Sequence, residues 1–240
     1  MTAAFTPDTL KFLKDLARHN NREWFLKNKP RYEAAVRGPS LAFIAALAAP
    51  LRKISPQLVA DPRPVGGSLF RIHRDTRFSG DKTPYKTHAG MTFFHARTRD
   101  APRADDGGEG RGRLDAPVYY LHLQPGASFV GGGLWHPQSD SVRRVRDYMV
   151  GNPRSWKQAT RSAAFRRSFE LGGESLVRPP RGYDPEHELI EDLKRKDWIA
   201  SAQLSDAQVL SPRFQQDVLR SFRQLAPMMD WLCGALDLEF

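Results

Sequence analysis

The chain has almost no cysteine. Cys233 is the single one in 240 residues, so no intrachain disulfide can form and a reducing compartment is expected. It sits among Met229, Trp231, Leu232 and Leu236, a setting that points to core packing rather than to a nucleophile. No apolar run approaches the roughly 20 residues that span a bilayer. The first residues, MTAAFTPDTLKFLKDL, carry no basic segment followed by an apolar one. The expected location is the cytoplasm, with no membrane partner. Neither GxGxxG nor GxxxxGKS/T occurs, so there is no nicotinamide or P-loop nucleotide signature and no cofactor is assigned. Gly131-Gly132-Gly133 reads instead as close packing or a tight bend. No Ser or Cys stands in a nucleophile elbow. HxxxH and HxH are both absent, so no metal site is read from His88, His122 and His136 with Asp75 or Asp81.

Positive charge is what the chain has in excess. Thirty-seven lysines and arginines stand against 27 acids, a net charge of +10 at neutral pH. That balance favours anionic partners: phosphates, nucleic acid or acidic headgroups. Hydrophobic residues make up 40% and aromatics 10%, a globular composition able to bury a sizeable core. The stretch 97–117 is Gly, Pro and charge without periodicity, and a disordered hairpin insertion is expected there. Its five arginines (Arg97, Arg99, Arg103, Arg111, Arg113) match five acids (Asp100, Asp105, Asp106, Glu109, Asp115), so its net charge is zero. The positive excess lies on the rest of the chain.

Thr6-Pro7 opens a helix whose stripe is Leu10, Leu13 and Leu16. Asn20-Asn21 breaks it, and a second helix runs from Arg22 to about Val36. Gly38-Pro39 is expected to stop that helix and Ser40 to cap a third, LAFIAALAAPLRKI, which Pro50 should kink or end. After DPRP (61–64) the period changes. Ser68 to Arg74, Lys86 to His95 and Val118 to Gln124 alternate, and Phe129-Val130 leads into the glycines. These predict four strands of a mostly antiparallel sheet. Helices return with Val142, Val145 and Met149, again after Asn152-Pro153, briefly after Asp184-Pro185, and lastly after Ser211-Pro212, where Pro227 should interrupt. The order argues for an α+β fold in one domain, residues 1–240: a central antiparallel sheet of about four or more strands, flanked by N-terminal and C-terminal helices.

The densest chemistry lies in 66–90, GGSLFRIHRDTRFSGDKTPYKTHAG. Strand alternation puts Arg71 and His73 on one face, Lys86 and His88 on one face of the next strand, and Tyr120 and His122 on one face of the third. Two readings of that combined surface stand. It is a plain solvent-facing sheet surface, or it is a pocket lining, which three histidines with Tyr and Arg and no Glu would suit. In the connection, Arg74, Arg77, Lys82 and Lys86 can present donors to one anion, Arg through its bidentate fork and Lys as a point charge. Asp75 and Asp81 can orient those cations, or simply brace the loop through an Asp75 pair with Arg77 or Arg74.

FTPDTLKFL, NNREWF, VGGSLFRIHRDTRFSGDKTPYKTHAG, YYLHLQPG, FVGGGLWHP, FELGGESLVRPPRGYDP, HELIEDLKRKDW and LSDAQVLSP together resemble the domain-of-unknown-function family 2461. The resemblance covers essentially the whole chain outside 97–117. It implies a bacterial-type soluble protein, also represented in fungi, and a single α+β domain. It supplies no catalytic residues.

Three functions are weighed. In the first, Arg71, Arg74, Arg77, Lys82 and Lys86 bind an anionic small molecule bearing phosphate or carboxylate. His88 or His122 is then the acid–base candidate, with Asp75, Asp81, Tyr85, Tyr120 and His136 in support. In the second, the basic charge with Trp24, Tyr85, Trp135 and Trp198 binds nucleic acid. In the third, the chain is a scaffold without chemistry.

Overall fold

The computed structural model describes residues 3–77, 79–98 and 115–240. Most of the expected disordered insertion therefore lies outside the described residues. Its ends do not. Ala96–Thr98 forms a 3₁₀ turn, and buried Asp115 accepts a hydrogen bond from the Gln138 amide at 2.6 Å.

Helix α1 (Pro7–Arg18) buries Leu10, Phe12, Leu13 and Leu16. Asn21 caps α2 (Arg22–Tyr32) by accepting from the Trp24 amide at 2.9 Å. Gly38-Pro39 does not stop the chain there. One wide π turn (Glu33–Arg37) carries α2 directly into α3 (Gly38–Arg52), and Ser40 is buried inside α3 rather than capping it. The physical reason is a rescued carbonyl. Proline has no N–H, so the carbonyl four residues before it loses its helical donor. For Pro39 that carbonyl is Ala35, and it accepts the Thr9 hydroxyl at 2.7 Å. For Pro50 it is Ala46, and it accepts the Gln215 side-chain amide at 3.3 Å. Side chains from α1 and the last helix thus allow a helical run that local sequence forbids. The run is long and apolar enough, by length and composition, to cross a membrane. In this fold its Phe43, Ile44, Leu47 and Leu51 are buried in the core.

The sheet is α+β in character and wholly antiparallel. Its strands are β1 (Leu58–Val59), β2 (Ala89–His95), β3 (Val118–Leu123), β4 (Ser128–Leu134), β5 (Glu170–Gly172) and β6 (Trp198–Leu204), in the spatial order β1-β2-β3-β4-β6-β5. Two expectations are corrected. Ser68–Arg74 is not a strand. It runs beside the start of β2 through isolated bridges, Leu69 to Met91 and His73 to Tyr85. Conversely, WIASAQL forms β6 although its Ala and Ser positions lack the branched or aromatic residues that mark strands in sequence. Its Trp198, Ala200 and Leu204 are buried and share one alternating face.

The remaining helices are α4 (Ser139–Gly151), α5 (Pro153–Arg161), α6 (Ala163–Ser168), the single turns α7 (Ile190–Leu193) and α8 (Asp206–Val209), and α9 (Phe214–Ala235); α9 packs on the sheet at β4, and α4, α5 and α6 pack on α9. Pro227 lies within α9 without interrupting it. Helix α9 crosses β4 at its glycines. A Cβ on Gly132 would lie 3.2 Å from the Met229 sulfur and 3.0 Å from the Tyr119 ring, so the missing side chain is what admits the helix. One cluster of buried residues extends from Phe5 to Leu238.

Candidate functional site

The stretch from Arg74 to His88 is held from outside by Asn20, between α1 and α2. Its amide donates to the Tyr85 carbonyl at 2.8 Å, and its carbonyl accepts from the Tyr85 amide at 3.1 Å. Tyr85 itself is buried, its ring stacked on Phe25 at 4.1 Å. Tyr85 is thus a support packed in the core. Within the loop the charges pair locally. Arg77 forks onto Asp75 at 2.7 Å, the bracing arrangement, and Lys82 donates to the Thr76 carbonyl at 2.8 Å. Arg74 pairs with Asp81 and also donates to the Thr83 hydroxyl at 2.6 Å. The Arg77 hydrogen bonds hold the Asp75 carboxyl down at about 2. Asp81 is held at about 2, first by the Thr83 backbone amide and then by Arg74. Both stay ionised, so Arg74 is fixed in place with its Nε–H uncommitted among the described residues.

Beside this loop lie two imidazoles. His88 and His122 have ring centroids 4.2 Å apart, and His122 stacks on Phe129 at 4.7 Å with a 12° tilt. His122 bridges the Tyr120 hydroxyl (3.3 Å) and the Gln124 side-chain oxygen (2.9 Å). An oxygen acceptor at Nε2 places the proton there, so Nδ1 accepts from Tyr120; the tautomer follows from the network. Burial pushes His88 down to about 4, helped by the nearby His122, Lys86 and Arg74. Burial also lowers His122, against the hydrogen bond to Gln124. Both rings are neutral at pH 7. Gly90 makes room for the group. A Cβ there would sit 2.5 Å from the Tyr120 hydroxyl and 3.1 Å from the Phe70 ring. Lys86 holds its ammonium 5.2 Å over that Phe70 ring.

These residues border a cleft of about 640 Å³ lined by Asn20, Arg74, Asp75, Asp81, Lys86 and His88, among others. His122 does not line it and meets it through the His88 ring. Two of the expected neighbours are elsewhere. Strand alternation expects Arg71 and His73 on the face of Lys86, His88, Tyr120 and His122. In the structure Phe70 occupies that position, packed 5.9 Å from Tyr120. Arg71 and His73 line a second cleft instead, with Phe25, Lys29 and Arg37. The reason is the phase of the pairing: Leu69 lies opposite Met91 and the Phe70 amide bonds the Gly90 carbonyl, which puts Phe70 on the face of Gly90 and Tyr120 and Arg71 on the other. His136 stands past the far end of β4 from Phe129, against Trp135, with its backbone at φ 46° and its amide donating to Asp197 at 2.6 Å. It takes no part in the His88 cluster. Burial pushes the Cys233 thiol up to about 12, which suits packing and not nucleophilic attack. Among the described residues no three His, Cys, Asp or Glu side chains gather as a metal site.

Asn20, Lys29, Arg37 and Phe129 carry no site signal in the sequence. Asn20 read as a helix break, and its reach to Tyr85 spans 65 positions with no local signal.

The fold and the cluster define an α+β protein with a six-stranded antiparallel sheet and a neutral histidine pair beside a polar cleft. The chain belongs to the family described as Conserved hypothetical protein (DUF2461), whose model matches residues 8–231. No curated protein matches it.

Proposed function

We propose that this protein binds a small molecule bearing phosphate or carboxylate in the cleft beside His88, with His88 as the group that exchanges a proton with it. The observation that carries this reading is the company His88 keeps: a neutral, half-buried imidazole near two cations, Lys86 and a guanidinium pre-oriented by Asp81. The cations draw an anion in, and an anion arriving there reverses the local field and raises the basicity of His88. A neutral imidazole so placed is a proton acceptor in waiting, with His122 behind it and Tyr120 and Gln124 fixing the tautomer of His122. Arg77 and Lys82 support the loop, because their charges are spent on Asp75 and on the Thr76 carbonyl. The site would operate in the cytoplasm.

The test is thermal denaturation with inorganic phosphate and, separately, malonate, paired with histidine NMR. The melting temperature of the parent protein is expected to rise, and the His88 titration to move upward. Lys86→Met keeps the contact with Phe70 and removes the charge, and should abolish both responses. A melting temperature unmoved by either anion, or a response that survives in Lys86→Met, overturns the proposal.

A second reading rests on a different observation. Phe70, Tyr120, His122 and Phe129 form a row of half-buried rings on the sheet face opposite α9. Such a row suits base stacking, and with the net positive charge it favours single-stranded nucleic acid. Binding of a labelled oligonucleotide at about 50 mM salt that weakens steeply with added salt would support it.

A further inference from the structure

The second cleft has a different character from the first and shares no lining residue with it. It holds about 420 Å³ between α2, the π turn and residues 64–73. Phe25, Tyr32 and Ile72, all buried, with half-buried Leu69, give it an apolar wall. Charge stands around that wall: Lys29, Arg37 and Arg71 against one acid, Glu33. Glu33 is already taken by Arg37 at 2.8 Å. Arg37 also donates to the Pro64 carbonyl at 3.3 Å, which ties the π turn to the opposite side. Basic side chains therefore outnumber acidic ones in the lining of this cleft.

Tyr32 adds the decisive detail. Its residue is 6% exposed and lines the cleft, and its hydroxyl oxygen is not among the buried polar atoms left without a partner, so the ring is buried while the hydroxyl opens onto the cleft. Burial, first of all, pushes its titration up to about 12, with Arg37 and Glu33 acting on it from the π turn. At neutral pH it is an O–H donor facing the cleft. A hydroxyl that opens onto a cleft takes its acceptor from water or from a ligand, and ligand sites are characteristically apolar clefts with a few convergent polar groups. Lys29, one helical turn before the π turn, has no ion-pair partner among the described residues.

We propose that this cleft is a separate binding site for a carboxylate carried on an apolar body. The carboxylate accepts the Tyr32 hydroxyl and pairs with Lys29, while the apolar part lies against Phe25, Leu69 and Ile72. A bare inorganic anion would leave the apolar wall in water. An uncharged apolar molecule would leave the hydroxyl and the ammonium without their counterpart. Selectivity for the combination is what the lining dictates.

Three probes separate these cases: 2-naphthoate, 2-naphthol and inorganic phosphate, titrated by calorimetry with the Leu69 and Ile72 methyl resonances followed by NMR. Saturable 2-naphthoate binding is expected, with shifts at those methyls and an affinity at least about tenfold above that of either other probe. Tyr32→Phe removes a hydroxyl that opens onto the cleft, so the fold should hold; Lys29→Ala changes an exposed position. Each should weaken 2-naphthoate about tenfold, and Lys86→Met in the first cleft should leave it unchanged. The proposal fails if 2-naphthol binds as tightly as 2-naphthoate, if both variants bind like the parent, or if the shifted methyls lie elsewhere. Because the probe and the variants differ from those of the first cleft, failure here leaves that reading standing, and the reverse.

Discussion

The imidazoles of His88 and His122 lie 4.2 Å apart, and both are driven toward the neutral form by burial. This is a stability relationship as well as a chemical one. In the unfolded chain a histidine titrates near 6.5, whereas His88 in the fold titrates at about 4. Above pH 6.5 both states are neutral and the contribution is fully present. As pH falls from 6.5 to 4 the unfolded chain takes up a proton that the fold refuses, so stability is lost through that window. At about 1.4 kcal/mol per pH unit the ceiling is about 3 kcal/mol; screening at a half-buried ring brings the expectation to on the order of 1–2 kcal/mol. Urea unfolding at a series of pH values between 7 and 4 should show this loss, and His88→Gln should flatten it. Equal pH slopes in the two proteins would remove His88 as the cause.

Gly90 allows Tyr120 to reach His122. Gly90→Ala puts a methyl 2.5 Å from the Tyr120 hydroxyl and 3.1 Å from Phe70. The ring must move, and overpacking of this kind costs about 1–3 kcal/mol. Its signature is specific: His122 loses the Tyr120 hydrogen bond at Nδ1, so its tautomer populations, read from ring nitrogen shifts, should become mixed. Destabilisation without a change at His122 would mean that Tyr120 does not set the tautomer.

The helices, the antiparallel sheet and the pairing of His88, Tyr120 and His122 could be read from sequence, because each rests on a local period. β3 alternates buried and half-buried without exception, which is why its polar face was correct. Arg71 and His73 fall elsewhere because the phase of their pairing with β2, Leu69 opposite Met91, is set by contacts that alternation alone does not fix. The helical run through Gly38-Pro39 was illegible for another reason. Nothing within five residues of Pro39 reveals that Thr9, from a different helix, donates to the carbonyl Pro39 orphans. The second cleft shared that difficulty: Lys29, Tyr32 and Arg71 are gathered by packing across more than 30 positions.

The Thr9 contact yields its own prediction. Thr9→Val keeps the shape and removes the donor, leaving the Ala35 carbonyl buried and unpaired. A loss of about 1–3 kcal/mol is expected in chemical denaturation, while Thr9→Ser should retain most of the stability. If Thr9→Val is neutral, the π turn is held by packing alone and the hydroxyl is incidental.

Asp197 organises the far end of the sheet. It is 2% exposed, and its two oxygens accept separate backbone amides: His136 at 2.6 Å and Glu174 at 3.0 Å. The first of these residues has φ 46°, a left-handed conformation unfavourable for a side chain larger than glycine's. The carboxylate therefore holds a strained turn after β4 and joins it to the segment after β5. Asp197→Asn retains the volume but offers only one accepting oxygen, so one amide would face an NH₂ group. A destabilisation of about 2–3 kcal/mol is expected, with accelerated hydrogen exchange confined first to Trp135–Pro137 and Gly173–Glu174. Exchange that rises uniformly over the sheet would instead mean that Asp197 supports the whole core and not this junction.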